Sequence, residues 1–282
     1  MLQVPLLRSW QINRQFWLER ALLNGRSPAV TDHISVIHFS INKAATQYTK
    51  RIMLRCGVEN ELLAVRMNDY AWNKDFPFLF TLSEEELERY VHIFHPCGYL
   101  YTVFGGLVEG IPNIQDYRTV VMIRDPRDIL VSEYYSYSKS HSSPRSAAKL
   151  AEFETFRAKV KDQTVDEYTI EASHRLKFRL QQYLNLQQAA PAICVLKYEE
   201  MIADFSTWLN KLLAHCQWQI SATLHEQLLE EAGRGRRKKH EDPNSHRRQI
   251  TPGDHKRKLQ PETINYLNEY MAEVLLGFDY QI

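Results

Sequence analysis

Residues 33–54 read HISVIHFSINKAATQYTKRIML, and this stretch decides the fold. Its first part, His33 to Ile41, is dense in β-branched and aromatic residues and predicts a buried strand. The strand ends abruptly at residues 42–46, and a helical pattern follows from Gln47 to Leu54, closed by Gly57. A buried strand that turns directly into a helix is the building unit of an α/β protein.

The same strand–turn–helix pattern occurs twice more along the chain. A strand over Thr119–Ile123 turns into a helix at about 127–138, and Pro126 fits the first helical position, where its missing N–H costs nothing. A strand over Ile193–Leu196 leads into an apolar helix that ends near residue 213. Three such units predict an α/β fold with a central parallel sheet flanked by helices, and with ligands at the carboxyl ends of the strands.

The remaining chain predicts one domain over residues 1–282. Amphipathic helices are expected at 5–23, packed on the domain, and at about 262–276, with a mixed stretch at 58–118 and a helical region at 145–188. Residues 233–258 contain ten Lys or Arg and few apolar side chains, so we expect a basic loop that an anionic ligand orders.

The composition excludes several classes of protein. The 282 residues are 44% hydrophobic with a net charge of +1, which gives no global attraction to nucleic acid or a membrane. The four cysteines are widely spaced, which predicts reduced and mostly buried thiols and no metal site. Charged residues interrupt the apolar N-terminal stretch, and no stretch approaches a membrane span, so we expect a soluble, cytoplasmic protein.

The first corner, residues 42–46, has the chemistry of an anion site. A helix N-terminus after a buried strand gathers free N–H groups and partial positive charge. Lys43 adds a full charge, Ala44 and Ala45 leave the backbone accessible, and Thr46 supplies a hydroxyl. The alternative is a strand–helix turn with an incidental lysine.

Two further elements carry basic residues. Arg124 leaves the second strand and Ser132 follows eight residues later, an arrangement that suits a phosphate; the alternative is a surface pair of Arg124 with Asp125 or Asp128. In the basic loop, Arg247 and Arg248 precede a turn, and their charge suits the anionic ligand expected there. The alternative interpretations are a solvated loop and a nucleic-acid patch. The loop lacks the interleaved aromatic residues that would favour single-stranded nucleic acid.

Taken in order, these motifs resemble those of the PAPS-dependent sulfotransferase family, of the cytosolic or bacterial type. KAATQY at 43–48 is similar to the family's Lys-Ser-Gly-Thr-Thr-Trp, and IRDPRDILVS at 123–132 repeats its Arg and Ser eight residues apart. RQITPGDHK at 248–256 is similar to Arg-Lys-Gly-x-x-Gly-Asp-Trp-Lys, and VLKYEEMIADFSTWLNKL at 195–212 resembles the family's strand and helix around Tyr-Glu-Asp-Met. The resemblance covers about residues 34–258.

The resemblance implies a P-loop-NTPase-like three-layer fold and transfer of a sulfuryl group from 3′-phosphoadenosine 5′-phosphosulfate (PAPS), leaving 3′,5′-ADP (PAP) without a metal. It implies that the 5′-phosphosulfate is gripped by Lys43 and the backbone of Ala44, Ala45, Thr46 and Gln47. The 3′-phosphate would be held by Arg124, Ser132 and Arg248, with Arg247 alongside. The adenine would contact Tyr48 and Tyr198, and 233–258 would cover the nucleotide.

The sequence departs from the family pattern at functional positions. Ala45 stands where the family has Gly, and Gln249 and Ile250 where it has Lys and Gly. The catalytic histidine of a Lys-Thr-His sequence has no counterpart, since Thr102-Val103-Phe104 stands near that place. Candidates for a general base in this region are His92, His95, Asp69 and Glu109, each of which is otherwise a surface or structural residue.

A small-molecule acceptor with a reactive hydroxyl or nitrogen, such as a natural product of secondary metabolism, is expected beside the sulfur. Candidate pocket residues, which are otherwise core aromatics, are Trp72, Phe76, Phe78, Tyr134, Tyr135 and Tyr137. One alternative is a non-catalytic PAP-binding scaffold, which keeps the phosphate contacts and loses the chemistry. A nucleotide kinase-like phosphotransferase would need Gly-x-x-x-x-Gly-Lys-Ser/Thr, which residues 42–46 do not match.

Overall fold

Five parallel strands form the centre of this structure, a computed structural model that describes residues 15–141, 143–144, 147–190, 192–236 and 250–282. The strands are β1 (Val36–Ser40), β2 (Leu63–Val65), β3 (Tyr99–Phe104), β4 (Arg118–Ile123) and β5 (Cys194–Lys197). Their order across the sheet is β2-β3-β1-β4-β5, and each neighbouring pair is parallel. The three predicted strands are confirmed, and the structure adds β2 and β3 within the mixed stretch.

Helices surround this sheet. They are α1 (Trp17–Leu23), α2 (Thr46–Glu59), α3 (Met67–Asn73), α4 (Glu84–Leu87), α5 (Pro126–Tyr135), α6 (Ala147–Lys161), α7 (Val165–Ala189), α8 (Tyr198–Ala203), α9 (Phe205–Cys216), α10 (Ala222–Arg236), α11 (His255–Lys258), α12 (Pro261–Tyr270) and α13 (Ala272–Gly277). A π-helical turn, Ser136–Ser140, continues α5.

The strands alternate their side chains between two separate apolar layers. On one face, Val36 and Met122 pack with α2, α8 and α9. On the other face, Ile37 and Ile123 pack with α5, α7 and α13. Helices on both faces of a parallel sheet confirm the predicted three-layer α/β fold.

Strand order places a crevice between β1 and β4. The helix after β1 (α2) covers one face of the sheet, and the helix after β4 (α5) covers the other. The chain therefore reverses direction across the sheet at this point, where ligands bind in open α/β sheets.

Several boundaries differ from the sequence predictions. Gly57 lies inside α2 and does not end it. A Cβ at this position would stand 3.0 Å from Leu100 Cδ2 on β3, so the role of the glycine is to permit close packing of the helix on the strand. The helix expected at 262–276 is two helices, which meet at Met271.

The basic segment is partly helical where the structure describes it. Residues 233–236 are the end of α10, and 255–258 form α11, so the loop expected at 233–258 is shorter than predicted. Residues 237–249, with Arg247 and Arg248, and residues 1–14 lie outside the described residues. Three of the four cysteines are buried thiols, and Cys97 is exposed. Among the described helices, none has an apolar stretch that could span a bilayer.

Candidate functional site

The first two predicted corners are direct neighbours at the carboxyl edge of the sheet. Ser40, the last residue of β1, is in register with Met122 of β4, and the amide of Ile41 donates to the Met122 carbonyl at 3.3 Å. The loop at residues 41–45 therefore lies beside Arg124, which follows β4 by one residue. Sheet topology brings together two sites that are 80 residues apart in the chain.

The first corner has two non-glycine residues in the left-handed region. Lys43 has φ 69° and Ala45 has φ 58°. This conformation costs a non-glycine residue about 1–2 kcal/mol, and such strain concentrates at binding sites. Ala45 is also the N-cap of α2 and has no polar side chain to accept from the first amides of the helix. The amides of Thr46 and Gln47, together with the helix dipole, are thus oriented towards an anion, while the amide of Tyr48 donates to the Ala45 carbonyl at 2.9 Å.

Hydrogen bonds inside the corner hold its shape. Thr46 Oγ1 donates to the Ile41 carbonyl at 2.9 Å and lies 2.9 Å from Ser40 Oγ. The Thr46 hydroxyl thus closes the loop, while the resemblance implies a contact of the backbone amide of Thr46 with the phosphosulfate. Ala44 is buried, Lys43 is half-buried, and Gln47 is exposed.

Arg124 connects the second corner to the first. Its Nη1 donates to the Lys43 carbonyl at 3.2 Å, its Nη2 lies 3.4 Å from Asp128 Oδ2, and its guanidinium lies 4.4 Å from the ring centroid of Tyr198. The Arg124–Asp128 pair that the sequence offered as an alternative does form, but in the interior and not on the surface. Arg124 Nε is buried and has no hydrogen-bond partner among the described residues.

Asp128 ties the late motif to these corners. Its Oδ2 accepts from the amide of Gly253 at 2.8 Å, and its Oδ1 accepts from the amide and Nδ1 of His255 at 3.0 and 2.7 Å. Burial acts to raise the pKa of Asp128, but the hydrogen bonds from His255 and the charge of Arg124 lower it well below its usual range. An ionised, fully buried carboxylate thus fixes the turn after the basic segment.

Tyr198 completes the contact between the second corner and the late motif. Its hydroxyl donates to the Ile250 carbonyl, and burial raises the pKa of this phenol. Ser132 is half-buried in the second turn of α5. Tyr48 lies in the first turn of α2, where its ring contacts Phe205 and the guanidinium of Arg51. The structure therefore assembles Lys43, Arg124 and Tyr198, with Tyr48 beside α9.

The candidate bases separate into two groups. His95 precedes β3 at the amino edge of the sheet, where its backbone amide donates to Tyr101 Oη at 2.7 Å. The side chain of His92 contacts the Leu23 carbonyl. Asp69 on α3 and Glu109 follow strands at the carboxyl side; Asp69 pairs with the nearly buried Lys50, and Glu109 accepts from Gln182 at the surface.

The aromatic candidates also separate. Trp72, Phe78 and Tyr137 share one cluster, in which His141 lies 6.3 Å from the ring of Trp72 and 4.9 Å from that of Tyr137. Phe76 packs instead between Tyr70 and Tyr90. Tyr134 and Tyr135 contact each other, and the hydroxyl of Tyr134 donates to the Gln163 carbonyl.

Sequence reasoning missed three residues near the carboxyl edge of the sheet. Burial raises the pKa of Tyr137, and the side chain of Asn42 in the first corner acts against this rise. Phe80 packs over Gly106 just after β3, so closely that a Cβ there would stand 2.9 Å from its ring. Arg179 of α7 lies over the Phe80 ring, 5.8 Å from its centroid. No local pattern marks these residues, because they meet only through the order of the strands.

Comparisons with known proteins identify a matching family and solved structures of similar fold. Residues 113–279 match the family model described as Sulfotransferase domain. Mouse sulfotransferase SULT7A1 complexed with PAP superimposes with a TM-score of 0.57 at 14% identity, over 93% of this chain and 90% of that one. Retinol dehydratase in complex with androsterone and PAP gives 0.54 at 13% identity, over 95% and 87% of the two chains. A comparison with curated proteins found no match.

Proposed function

This chain belongs to the sulfotransferase domain family, and we propose that it transfers a sulfuryl group from PAPS to a hydroxyl or nitrogen of a small-molecule acceptor. The observation that carries the proposal is the bond from Arg124 to the Lys43 carbonyl, which joins a phosphosulfate-type corner to a 3′-phosphate-type corner. Both corners lie in the crevice where the sheet changes direction, which is where this fold places nucleotides.

The residues present suit a doubly phosphorylated nucleotide. The strained turn at Lys43 and Ala45 opens onto the N-terminus of α2, which would take the 5′-phosphosulfate. Arg124 has a buried Nε without a described partner, and Ser132 lies on the next turn of helix, which suits the 3′-phosphate. Tyr198 offers an aromatic surface beside Arg124 for adenine. Arg247, Arg248 and the covering role of 233–258 belong to the same proposal.

Sulfuryl transfer resembles phosphoryl transfer, in which positioning and charge stabilisation supply most of the catalysis. The acceptor oxygen or nitrogen forms a bond to sulfur while the bond from sulfur to the 5′-phosphate oxygen breaks, and PAP leaves. Lys43 stabilises the negative charge that develops on this leaving oxygen. A base takes the proton that the acceptor loses.

Asp69 is the base candidate that the geometry favours. Helix α3 follows β2 at the carboxyl side of the sheet, and the Asp69 side chain is one-third exposed although it pairs with Lys50. Glu109 lies at the surface, and His95 lies at the other edge. Asp69→Asn should therefore lower kcat and remove the acidic limb of the pH–rate profile, whereas His95→Gln should leave both unchanged.

Small-molecule acceptors are supported by the aromatic cluster of Trp72, Phe78 and Tyr137 beside the first corner. The retinol dehydratase structures contain androsterone or retinol together with PAP. Aromatic walls with a few polar groups are typical of pockets for such ligands. The cytoplasmic location stays a prediction.

Calorimetry with PAP, followed by PAP release assays with a panel of phenols, alcohols and amines, tests the proposal. Arg124→Lys keeps a charge beside Asp128 but loses the forked donor, so PAP should bind about tenfold more weakly. Arg89→Gln is the matched control, because Arg89 is exposed and lies outside the two corners and the basic segment. Lack of PAP binding by the wild-type protein contradicts the proposal, and binding without turnover of any acceptor favours the scaffold alternative.

A further inference from the structure

Two hydrogen-bond donors near the first corner are buried without a partner. Arg179 Nη2 and Tyr183 Oη both lie on α7, and neither atom has an acceptor among the described residues. Tyr183 is fully buried. A buried donor left unpaired costs about 1–3 kcal/mol, so two of them on one helix indicate a missing acceptor.

The position of these donors is next to the proposed reaction centre. Arg179 lies over the ring of Phe80, which itself packs on Gly106 after β3. Tyr183 packs on Phe39 of β1, with 6.2 Å between the ring centroids. Arg179 therefore lies over the segment after β3, and Lys43 follows the neighbouring strand β1 at the same carboxyl edge of the sheet.

No carboxylate of the described residues forms a salt bridge with Arg179. Arg175, one turn earlier on α7, pairs with Glu133 at 3.0 Å. Across the ranges that the structure describes, Arg179 forms no salt bridge, although its Nη2 is buried. Arg179 is half-buried, and a guanidinium in this position is stabilised when an oxyanion binds to it, most strongly through two parallel N–H···O bonds.

We propose that the acceptor carries an oxyanion, such as a carboxylate, which Arg179 binds while the reacting hydroxyl or nitrogen faces Lys43. Phe80 supports the guanidinium from its other side, and the Tyr183 hydroxyl supplies a further donor. This inference rests on the proposed function, because it assigns the substrate class to the same site.

The test measures binding to the PAP-saturated protein by calorimetry, with matched acids and methyl esters. The probes are 4-hydroxyphenylacetate, 4-hydroxybenzoate and 3-(4-hydroxyphenyl)propionate, each beside its ester. For at least one pair, the acid should bind about tenfold more tightly than the ester. Arg179→Gln should bring the two affinities within about twofold of each other, and Arg179→Lys should restore part of the preference.

The control variant is Lys177→Gln on the same helix, whose ammonium group contacts the ring of Tyr270. It should keep the preference for the acid. Titration of every variant with PAP checks that the proposed nucleotide site is folded. It also separates this inference from the proposed function. A wild-type protein that does not bind PAP contradicts the proposed function, and the acid–ester comparison can then still be made without PAP. Equal affinities for acid and ester in the wild type, or no binding of any probe, overturn the inference.

Discussion

The carboxylate of Asp128 accepts hydrogen bonds from both the backbone amide and Nδ1 of His255, at 3.0 and 2.7 Å. The two residues are 127 positions apart and both are almost inaccessible to solvent. Since Asp128 is also the partner of Arg124, this one carboxylate holds the late motif against the second corner. The geometry of the proposed nucleotide site therefore depends on the buried charge of Asp128, a residue that is not assigned a contact with the nucleotide.

Replacement of Asp128 by Asn should strongly destabilise the protein. The variant keeps the shape of the side chain but leaves Arg124 without its counter-charge, so the free energy of unfolding should fall by about 3 kcal/mol or more. Urea denaturation measures the change. Asp279→Asn is the control, because Asp279 is 92% exposed and lies 3.8 Å from Lys197; it should cost less than about 0.5 kcal/mol. Equal effects of the two variants would contradict the role of Asp128.

Stability should decrease as the pH falls from about 6.5 towards 4, because of His38. Burial, and to a smaller extent the charge of Lys50, lowers the pKa of this fully buried imidazole to about 3. Between that value and the ordinary pKa near 6.5, the unfolded chain binds a proton that the folded chain does not, so lower pH favours unfolding by about 1 kcal/mol per pH unit. Asp128 adds its own loss only near and below its ordinary pKa.

Urea denaturation at pH 7, 6 and 5 measures this slope. His38→Gln keeps a polar group near Thr102, with which the imidazole Nδ1 shares a 3.0 Å hydrogen bond, but it cannot be protonated. The variant should show a shallower dependence than the wild type over the same range. Parallel slopes in the two proteins would exclude His38 as their source.

Ala45→Gly should stabilise the protein, because Ala45 is held in the left-handed region, at φ 58°. Glycine adopts this conformation without steric cost, so the free energy of unfolding should rise by about 0.5–1 kcal/mol after its greater freedom in the unfolded chain is allowed for. Ala44→Gly is the control, since buried Ala44 is not in that region, and it should be destabilising. A loss of stability in both variants would contradict the strain at Ala45.

Lys43→Ala should largely abolish sulfuryl transfer. Removal of the charge proposed to stabilise the leaving oxygen should lower kcat by about a hundredfold or more, with a smaller effect on PAP affinity. Initial rates of PAP release, together with calorimetry, separate the two effects. Arg55→Ala is the control, because Arg55 lies two turns further along α2 than Tyr48 and pairs with Glu231 at 2.7 Å. Near-normal turnover without Lys43 would refute the assignment.

Tyr198 should contribute mainly through its ring. Tyr198→Phe loses the hydrogen bond to the Ile250 carbonyl but keeps the face beside Arg124, so PAP affinity should fall by only a few fold. Tyr198→Leu removes the aromatic face as well and should cost about a further tenfold. Calorimetry of both variants checks this order, and equal losses would assign the effect to the hydroxyl.

Local pattern predicted much of the fold and only part of the site. The strands around Ile37, Val121 and Leu196 were found because long apolar runs and turn residues are encoded within a few positions. Strand β2 has only three residues, Leu63–Val65, and depends on pairing with β3, so its own sequence carries too little signal. Strand β3 lies among other aromatic segments that are not strands, and the spacing of its apolar residues does not distinguish it from those segments.

By itself, the sequence determined the three strand-to-helix corners, the three-layer class of fold, and Lys43 and Arg124 as residues at strand ends. Only the tertiary structure decided that Arg124 reaches the Lys43 carbonyl, that Asp128 holds His255, and that Arg179 lies over Phe80. The reason is that a corner is built from neighbours in the chain, whereas these contacts join side chains up to 127 positions apart and form only when the strands take the order β2-β3-β1-β4-β5.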